Sequence, residues 1–465
     1  MHYISTRGSA PSLDFAGVLL AGLARDGGLY VPASWPSFSP DELRAMRGLP
    51  YPELAARVMQ PFVGESISFN VLREMTHKAY ANFAHPAIVP MVQVDHDLWS
   101  MELFHGPTLA FKDMAMQMLG LLFDYVLGQR GEHVTIVGAT SGDTGSAAIE
   151  ACRDRKNIHV VILHPKGRTS DVQRRQMTTV HAPNIANLAV EGTFDDCQDM
   201  VKSLFADEKF RTEMNLSAVN SINWARIAAQ IPYYVAASLA LGGPDRPVSF
   251  AVPTGNFGNV LAAWVAGRIG VPIARLIVGS NRNDILTRFF TANDMSIQGV
   301  EPSLSPSMDI QVSSNFERIL FELLNRDPDL TAQTMRDFRD NGRMRVAPDV
   351  WQRASQMFHG ARLSDQQTLA EIRCLAAKSG YLADPHSAIG IAAGRANGLY
   401  GVPTVAMATA HPAKFPDAMA QATGTRPALP PHLVDLFDRT EYYQTVPNDA
   451  ATIQDLVRRF RFKNQ

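Results

Sequence analysis

Residues 102–113 read Glu-Leu-Phe-His-Gly-Pro-Thr-Leu-Ala-Phe-Lys-Asp, and they place a lysine, Lys112, between a turn and an apolar helix. Gly106 and Pro107 break the backbone into a turn before it. The run that follows, 114–127, is strongly apolar with helical character. The pattern predicts that Lys112 lies near the start of a largely buried helix, and we interpret the rest of the chain as organised around it.

A lysine in that position is costly to bury as an ammonium. Desolvation lowers the pKa of its amine and makes it a usable nucleophile. The chemistry that needs such an amine is Schiff-base formation with a carbonyl, above all that of pyridoxal phosphate. A lysine judged alone more often packs its stem and extends its charged head into water. The loops downstream therefore decide between the two interpretations.

Composition limits the classes of function. The chain has 465 residues, which suggests two or three domains, and its 46% apolar content allows large cores. The formal net charge of −2 gives no basic surface for nucleic acid. Cys152, Cys197 and Cys374 lie far apart without metal-ligand spacing, and the longest apolar stretch, 227–241, is too short to span a bilayer. We expect a cytoplasmic protein with no metal site that contacts neither nucleic acid nor membrane.

Two patterns divide the chain. Residues 1–90 are predicted as a mostly helical domain. From residue 91 short apolar strands alternate with helices, which is typical of an α/β fold whose open parallel sheets are covered by helices. The predicted strands are 134–138, 159–164, 185–190, 248–252, 273–278 and 403–407. In such sheets ligands lie outside the carboxyl ends of the strands, and the unusual loops of this sequence follow those ends.

Residues 91–465 are predicted as one catalytic region in two parts. A small α/β domain covers about 130–240, and a large domain combines 91–129 with 241–465. Within the large domain, 282–380 holds prolines and three helical patterns. We interpret this segment as a helical insertion with a structural role, because nothing in its sequence demands chemistry.

The loop 139–145 lies between a predicted strand and a predicted helix. Its small residues let the backbone approach a ligand closely, and amides at a helix N-terminus favour an anion. Thr140, Ser141 and Thr144 add hydroxyl donors. The loop suits a substrate carboxylate or phosphate, and the alternative is an ordinary helix cap by serine or threonine.

The loop 253–259 reads Pro-Thr-Gly-Asn-Phe-Gly-Asn and has the same position relative to the next strand and helix. Gly255 and Gly258 permit a tight cup whose amides point inward, and phosphate is its natural occupant. The loop lacks the Gly-Lys-Ser/Thr ending of a P-loop and the dinucleotide spacing of glycines. It therefore argues against ATP and NAD.

The stretch 408–415 follows the last apolar strand. Thr409 lies at the carboxyl end of that strand, where a hydroxyl can hydrogen-bond a heterocyclic nitrogen without requiring its protonation. The alternative is a hydroxyl bonded to its own backbone. His411 is interpreted as a loop histidine with satisfied hydrogen bonds.

The stretch 219–226 combines asparagine, serine and arginine. This combination suits a phosphate contact, with the guanidinium of Arg226 as its charged fork. A polar helix start with a surface arginine explains the same pattern equally well.

Together these stretches resemble the threonine synthases, in their longer bacterial and fungal form. These are pyridoxal-phosphate enzymes of fold type II, which also includes tryptophan synthase β and cystathionine β-synthase. The resemblance covers nearly the whole chain, and its most specific parts are His-Gly-Pro-Thr before Lys112 and the Thr-Ala-His-Pro-Ala-Lys-Phe ending at 409–415. It implies the tryptophan synthase β-like fold, with two open parallel-sheet domains and the cofactor in the cleft between them.

The resemblance also implies a role for each loop. Lys112 would carry the cofactor as a Schiff base, Thr409 would bond its pyridine nitrogen, and Asp143 would lie near its ring hydroxyl. The residues expected to hold the cofactor phosphate are Gly255, Asn256, Phe257, Gly258 and Asn259. The residues expected to bind the substrate are Thr140, Ser141, Gly142 and Thr144, with Asn223 and Arg226 at its phosphate.

By the same resemblance the reaction converts O-phospho-L-homoserine and water to L-threonine and phosphate by γ-elimination and β-addition of water. The enzyme would be a carbon–oxygen lyase of threonine biosynthesis, acting as a monomer or homodimer. Two alternatives stay open. One is a lyase or dehydratase of the same fold type that acts on serine or threonine, and the other is a non-catalytic relative that binds its ligand as a sensor.

Overall fold

The computed structural model describes residues 1–217 and 220–463. Val219, the first residue of the predicted phosphate-contact stretch, lies outside the described residues. The N-terminal part is mostly helical, as expected, with one small antiparallel pair of strands. Its elements are β1 (Tyr3–Ser5), α1 (Phe15–Ala21), β2 (Tyr30–Pro32), α2 (Pro40–Ala45), α3 (Tyr51–Val63) and α4 (Phe69–Tyr80).

The next part contains the first run of alternating strands and helices. Its elements are β3 (Met91–Asp95), β4 (Leu98–Glu102), α5 (Lys112–Arg130), β5 (Val134–Ala139), α6 (Asp143–Cys152), β6 (Ile158–Pro165), α7 (Asp171–Thr178), β7 (Ile185–Val190), α8 (Phe194–Ala206), α9 (Glu208–Met214) and β8 (Leu216–Ser217).

A second run of strands and helices completes the fold. Its elements are α10 (Trp224–Ala228), α11 (Ile231–Ala240), β9 (Val248–Pro253), α12 (Gly258–Arg268), β10 (Ile273–Ser280), α13 (Ile285–Ala292), β11 (Met295–Ser296), α14 (Phe316–Leu323), α15 (Pro328–Asn341), β12 (Arg343–Met344), α16 (Pro348–Met357), β13 (Phe358–Arg362), α17 (Asp365–Ser379), α18 (Pro385–Asn397), β14 (Thr404–Ala408), α19 (Pro416–Thr423), β15 (Gln444–Val446) and α20 (Ala450–Lys463).

Two larger sheets organise these elements. The first has the strand order β15-β7-β6-β5-β8 and is parallel throughout. The second has the order β13-β10-β9-β14-β4-β3, and only its edge strand β3 runs antiparallel. Helices follow most strands, because parallel neighbours need a crossover connection. The predicted α/β fold with two open sheets is confirmed.

The N-terminus of α5 is brought to the carboxyl end of β14 by a short backbone ladder. The Phe111 amide donates to the Thr409 carbonyl at 2.8 Å, and the His411 amide donates to the Leu109 carbonyl at 3.0 Å. After Lys112 the helix is buried along most of its length. This ladder sets Lys112 at the carboxyl end of β14, whose neighbour β9 leads into the glycine loop 253–259.

Two parts of the predicted domain division are wrong. β15 and α20 were expected in the large domain, but β15 pairs with β7, and Ile453 and Val457 of α20 join the core of the five-stranded sheet. The segment 282–380 is more than a helical insertion, because it supplies β13 as an edge strand of the six-stranded sheet. Strands this short carry too little alternation to be recognised. The boundary near residue 90 stays a proposal.

Among the helices of the described chain, none combines the length and the apolar character that crossing a membrane requires.

Candidate active site

A cavity of about 330 Å³ lies where the carboxyl ends of the two sheets meet. Loops from both sheets line it, together with the first residue of α5 and the segment before α14. The predicted residues that line it are Lys112, Thr140, Ser141, Asp143, Thr144, Arg226, Gly255, Asn256, Phe257, Gly258, Asn259 and Thr409. Gly142 and Asn223 are not among its lining residues.

Lys112 points its amine into a charged part of this cavity. Its Nζ lies 3.3 Å from Asp143 Oδ2, and 12% of the side chain is exposed. Burial lowers the pKa of Lys112, and the cations Lys414 and Arg226 lower it further, while Asp143 opposes the shift. The predicted buried lysine at a helix start is therefore present, with an amine that loses its proton more readily than an exposed one.

Asp143 is the negative centre of the site. Its Oδ1 lies 2.8 Å from Lys414 Nζ and accepts a hydrogen bond from Gln173 at 2.8 Å. Burial alone would raise the pKa of Asp143, but Lys414 and Lys112 hold it well below its usual range. The carboxylate is therefore ionised between two lysines.

Lys414 had no assigned role in the sequence interpretation, although it belongs to the 409–415 ending. Its side chain is fully buried, and its Nζ donates to the Thr108 carbonyl at 2.7 Å as well as pairing with Asp143. Lys414 belongs to the motif, but its partner Asp143 is the first residue of α6, which follows a strand of the other sheet. No spacing rule connects the two, so only the fold could reveal the pair.

In the loop 139–145, some backbone amides bond to a side chain of the same loop. The Thr140 hydroxyl accepts hydrogen bonds from the amides of Gly142 and Gly145, both at 2.9 Å. Thr140 is not the N-cap residue of α6, which is Gly142, but its hydroxyl takes up the Gly142 amide and an amide of the first turn. Ser141 and Thr144 line the cavity and stay proposed substrate contacts.

The loop 253–259 forms a cup, but for a different reason than predicted. The residue in the left-handed region is Phe257, with φ of 62°, while Gly255 and Gly258 have no positive φ. Instead, a Cβ added at Gly255 would lie 2.8 Å from the Ser307 carbonyl oxygen. The glycine is needed for close approach of a neighbouring loop, and Phe257 is held by packing against aromatic rings that include Phe316 and Phe358.

Asn259 supplies a buried donor at the start of α12. Its Oδ1 accepts from Tyr233 at 2.5 Å and from Tyr234 at 2.6 Å, and 6% of the residue is exposed. Its Nδ2 has no hydrogen-bond partner among the described residues. A buried amide donor without a partner, in a loop that opens a helix, fits a phosphate group. This buried donor is an observation that the sequence could not provide, and it agrees with the pyridoxal-phosphate interpretation.

Thr409 is buried at the end of β14. Its amide donates to Ser387 Oγ at 2.9 Å, and its carbonyl accepts from the Phe111 amide. Within residues 1–217 and 220–463, its hydroxyl makes no hydrogen bond to its own backbone, so the alternative considered for Thr409 is not observed. Thr409 lines the cavity, and the contact of its hydroxyl with a ring nitrogen stays a proposal.

His411 is the structural loop residue that was expected. Its Nδ1 accepts from the Ala413 amide at 3.1 Å, and burial lowers the pKa of the imidazole to about 4.

Arg226 and Asn223 differ in what they offer a ligand. Arg226 is 5% exposed and lines the cavity, and burial lowers the pKa of its guanidinium to about 10. Asn223 caps α10 by accepting from the Ala225 amide, and its Nδ2 donates to the Leu19 carbonyl at 2.9 Å. The proposed phosphate contact at Asn223 is not supported, because its amide joins the N-terminal region to α10.

The segment before α14 enters the site unexpectedly. Ser307, in the short 3-10 helix Pro306–Met308, lines the cavity with His386 from α18. The Ser307 hydroxyl lies 3.5 Å from Lys112 Nζ. The sequence interpretation assigned this segment a structural role and left α18 unassigned, so both residues were missed. A serine flanked by a proline resembles any turn, and no local signal distinguishes it.

Known proteins match this chain over nearly its full length. Family models described as "Threonine synthase N terminus", "Pyridoxal-phosphate dependent enzyme" and "Threonine synthase, C-terminal" match residues 2–80, 86–337 and 387–457. A threonine synthase from Pseudomonas aeruginosa is 53% identical over 459 residues, which is 98% of each chain. One from Saccharomyces cerevisiae is 40% identical over 90% of this chain and 88% of its own.

Solved structures agree with these matches. The crystal structure of a PLP-bound threonine synthase from Brucella melitensis is similar with a TM-score of 0.98 and 49% identity, over 99% of both chains. A threonine synthase from Escherichia coli has a TM-score of 0.82 and 32% identity, over 99% of this chain and 100% of the other. The arrangement described above is therefore that of a known fold over its full length.

Proposed function

This chain belongs to the threonine synthase family of pyridoxal-phosphate-dependent enzymes, and from that premise we propose that it converts O-phospho-L-homoserine and water to L-threonine and phosphate. One observation carries the proposal: the buried amine of Lys112, the buried donor of Asn259 and the buried guanidinium of Arg226 line the same cavity. We place the enzyme among the carbon–oxygen lyases acting on phosphates, and we expect it in the cytoplasm as a monomer or homodimer.

The residues of the cavity suit the cofactor at three points. Lys112 would hold pyridoxal phosphate covalently, and the Thr409 hydroxyl would bond its pyridine nitrogen. The amides of 255–259, with Asn259 Nδ2, would bind its phosphate. When bound, the cofactor supplies an electron sink for the negative charge that develops beside the substrate's amino group.

Lys112 is the proposed proton carrier. Its lowered pKa means that the amine is neutral in a larger fraction of molecules near neutral pH, so its Nζ can accept a proton from substrate carbon. Asp143 stays ionised beside the amine, and Lys414 pairs with its other oxygen, so the carboxylate would fix the position of the amine after its release from the cofactor. This pairing keeps the base within reach while protons are moved.

Two anionic groups of the substrate have separate proposed partners. Arg226 would bind the phosphate and stabilise it as it leaves, because a guanidinium donates two parallel hydrogen bonds to phosphate oxygens. Ser141 and Thr144, with the loop around them, would hold the carboxylate. A substrate with anions at both ends is thereby distinguished from serine or threonine, which carry one.

The experiment is a turnover assay on purified protein loaded with pyridoxal phosphate. With O-phospho-L-homoserine we expect phosphate and L-threonine in equal amounts. Arg226→Gln is expected to raise KM for this substrate at least tenfold, since a charge-assisted contact is lost. Arg246→Gln, a substitution outside the cavity lining, is the matched control and should leave KM unchanged. Phosphate release with a keto acid in place of threonine, or turnover of L-serine instead, would overturn the proposal.

A further inference from the structure

Ser307 contacts three separate parts of the site with three different groups. Its hydroxyl lies 3.5 Å from Lys112 Nζ and 3.5 Å from Asp143 Oδ2. Its carbonyl lies against Gly255 of the phosphate loop, where a Cβ would meet it at 2.8 Å. Its amide donates to His386 Nε2 at 3.2 Å. One serine therefore contacts the reactive amine, the carboxylate that neutralises it and the proposed phosphate cup.

The tautomer of His386 follows from this geometry. A backbone amide can only donate, so Nε2 of His386 accepts from Ser307 and carries no proton. Nδ1 therefore carries the proton and donates to Asp384 Oδ2 at 2.7 Å. Asp384 is fully buried and His386 is 4% exposed, so solvent does not compete for these bonds. A carboxylate in this position fixes both the tautomer and the orientation of the ring.

The other oxygen of Asp384 starts a second chain of hydrogen bonds. Its Oδ1 accepts from the hydroxyl and the amide of Ser387, and Ser387 Oγ accepts from the Thr409 amide at 2.9 Å. One carboxylate thereby anchors two chains of hydrogen bonds. The first ends at the Lys112 amine, and the second ends at the residue proposed to contact the ring nitrogen.

We propose that Asp384 is a positioning residue that acts through His386 to hold Ser307 against the Lys112 amine, and through Ser387 to hold Thr409. Ser307 is then a second hydrogen-bonding group at the amine, beside Asp143. The inference deepens the proposed function and rests on it only in assigning Lys112 as the reactive lysine. Its consequence is measurable in protein that holds no cofactor, because the contact is made by the amine itself.

A simpler role for Asp384 is the N-cap of α18, which it also performs by accepting from the amides of His386 and Ser387. The two roles are separable. Serine is as good an N-cap as aspartate, but its side chain is too short to reach the imidazole. Asp384→Ser therefore keeps a cap and removes the contact to His386.

The test measures the pH at which the Lys112 amine titrates. Cofactor-free full-length protein is acylated with an amine reagent across a pH series, and the modified lysine is identified by peptide mass mapping. Ser307 accepts a hydrogen bond from the ammonium, so Ser307→Ala should lower the midpoint by about one pH unit, the low end for one hydrogen bond to a charged group. The charged neighbours Asp143, Lys414 and Arg226 are unchanged in every variant.

Two substitutions at His386 make the test specific. Glutamine places an acceptor near the position of Nε2, so His386→Gln should retain the wild-type midpoint. Leucine removes the acceptor, so His386→Leu should shift the midpoint in the same direction as Ser307→Ala. The double variant of Ser307→Ala and His386→Leu should shift no further than the larger single change, because both remove one contact.

The role of Asp384 is tested by measuring the tautomer of His386. Nitrogen-15 spectra of labelled histidine should show His386 protonated at Nδ1 in the wild type, and Asp384→Ser should lose that signature and lower the Lys112 midpoint. An unchanged midpoint in His386→Leu, or an unchanged tautomer in a folded Asp384→Ser, would overturn the inference. If Asp384→Ser fails to fold, the paired His386 variants still decide whether the contact between His386 and Ser307 sets the Lys112 midpoint. Failure of the proposed function would show instead as a wild type that makes no threonine, whatever the titration gives.

Discussion

The two glycine loops, 139–145 and 253–259, have the same position in their sheets and use it in opposite ways. Each follows a parallel strand and opens a helix at the cavity. In the first, the Thr140 hydroxyl takes up the amides of Gly142 and Gly145, and the loop presents a charge, Asp143. In the second, a buried donor on Asn259 has no partner among the described residues.

The difference teaches that a glycine-rich loop at a strand end does not by itself make a phosphate site. What matters is which donors remain after the loop has satisfied its own backbone. The first loop is an electrostatic frame for two lysines, whereas the second keeps donors for a ligand. The two loops share a pattern of small residues, but they differ in which of their donors already have hydrogen-bond partners.

The largest expected effect breaks the electrostatic frame. Asp143→Asn leaves Lys112 and Lys414 buried without their shared counter-charge, and loss of one partner from a buried pair costs about 3–5 kcal/mol. We expect a fall of that size in the free energy of unfolding, measured with urea. Asp171→Asn removes an exposed partner of Arg174 and should stay within about 0.5 kcal/mol.

The same substitution has a signature in acid. Because the pKa of Asp143 in the folded state lies well below its unfolded value, the ion pairs contribute stability above about pH 4, and this contribution is lost as pH falls through the lower folded pKa. The wild type should therefore lose stability in acid more steeply than Asp143→Asn. Parallel pH dependence in the two proteins would show that the loop is not an electrostatic frame.

A pair of glycine substitutions sharpens the comparison. Gly142 has φ of 142°, and a Cβ there would lie 2.6 Å from the Gln173 side chain, so Gly142→Ala should destabilise the cofactor-free protein by about 2 kcal/mol. Gly255→Ala meets the Ser307 carbonyl instead and should weaken pyridoxal phosphate binding by about tenfold or more, with a smaller change in stability. Thermal unfolding and a cofactor titration measure both. If the two variants lose the same property, the loops do not differ in role.

The smallest expected effect concerns the donor of the second loop. Tyr234→Phe removes one of the two hydroxyls on Asn259 Oδ1, which loosens the orientation of the amide. Loss of one hydrogen bond of about 1 kcal/mol predicts a rise in the dissociation constant for pyridoxal phosphate of about fivefold. Tyr125→Phe, on α5 and outside the cavity lining, is the control and should bind as the wild type does. Equal affinity in both variants would mean that Tyr234 does not orient the amide.

Sequence reasoning succeeded where the signal is contained in one stretch. Lys112 could be located because a turn and an apolar helix flank it, and both loops because they lie between recognisable strands and helices. The parallel-sheet architecture followed from the alternation of these elements. In each case the residues that carry the signal are neighbours in the chain, so local physical rules were sufficient.

It failed where a residue depends on a partner far away in sequence. Ser307 and His386 lie in ordinary-looking stretches, and Lys414 lies in a specific motif that gives no sign of its partner. Only the fold brings Ser307 to Lys112, His386 to Ser307 and Lys414 to Asp143. Asn223 shows the opposite error. Its polar side chain was predicted to contact a ligand, but in the fold its amide donates to the Leu19 carbonyl. The left-handed Phe257 contradicts the usual preference for glycine and is explained only by the aromatic rings packed around it.

Two buried lysines contact Asp143, so the most direct measurement asks which of them carries the cofactor. Protein loaded with pyridoxal phosphate is reduced with borohydride, digested, and mapped by mass spectrometry. Lys414 is fully buried and bonded to the Thr108 carbonyl, whereas Lys112 retains some exposure and a lowered pKa. We expect the reduced label on Lys112 and its complete loss in Lys112→Ala. A label on Lys414, or no reducible label in the wild type, would contradict the assignment of Lys112 as the reactive lysine.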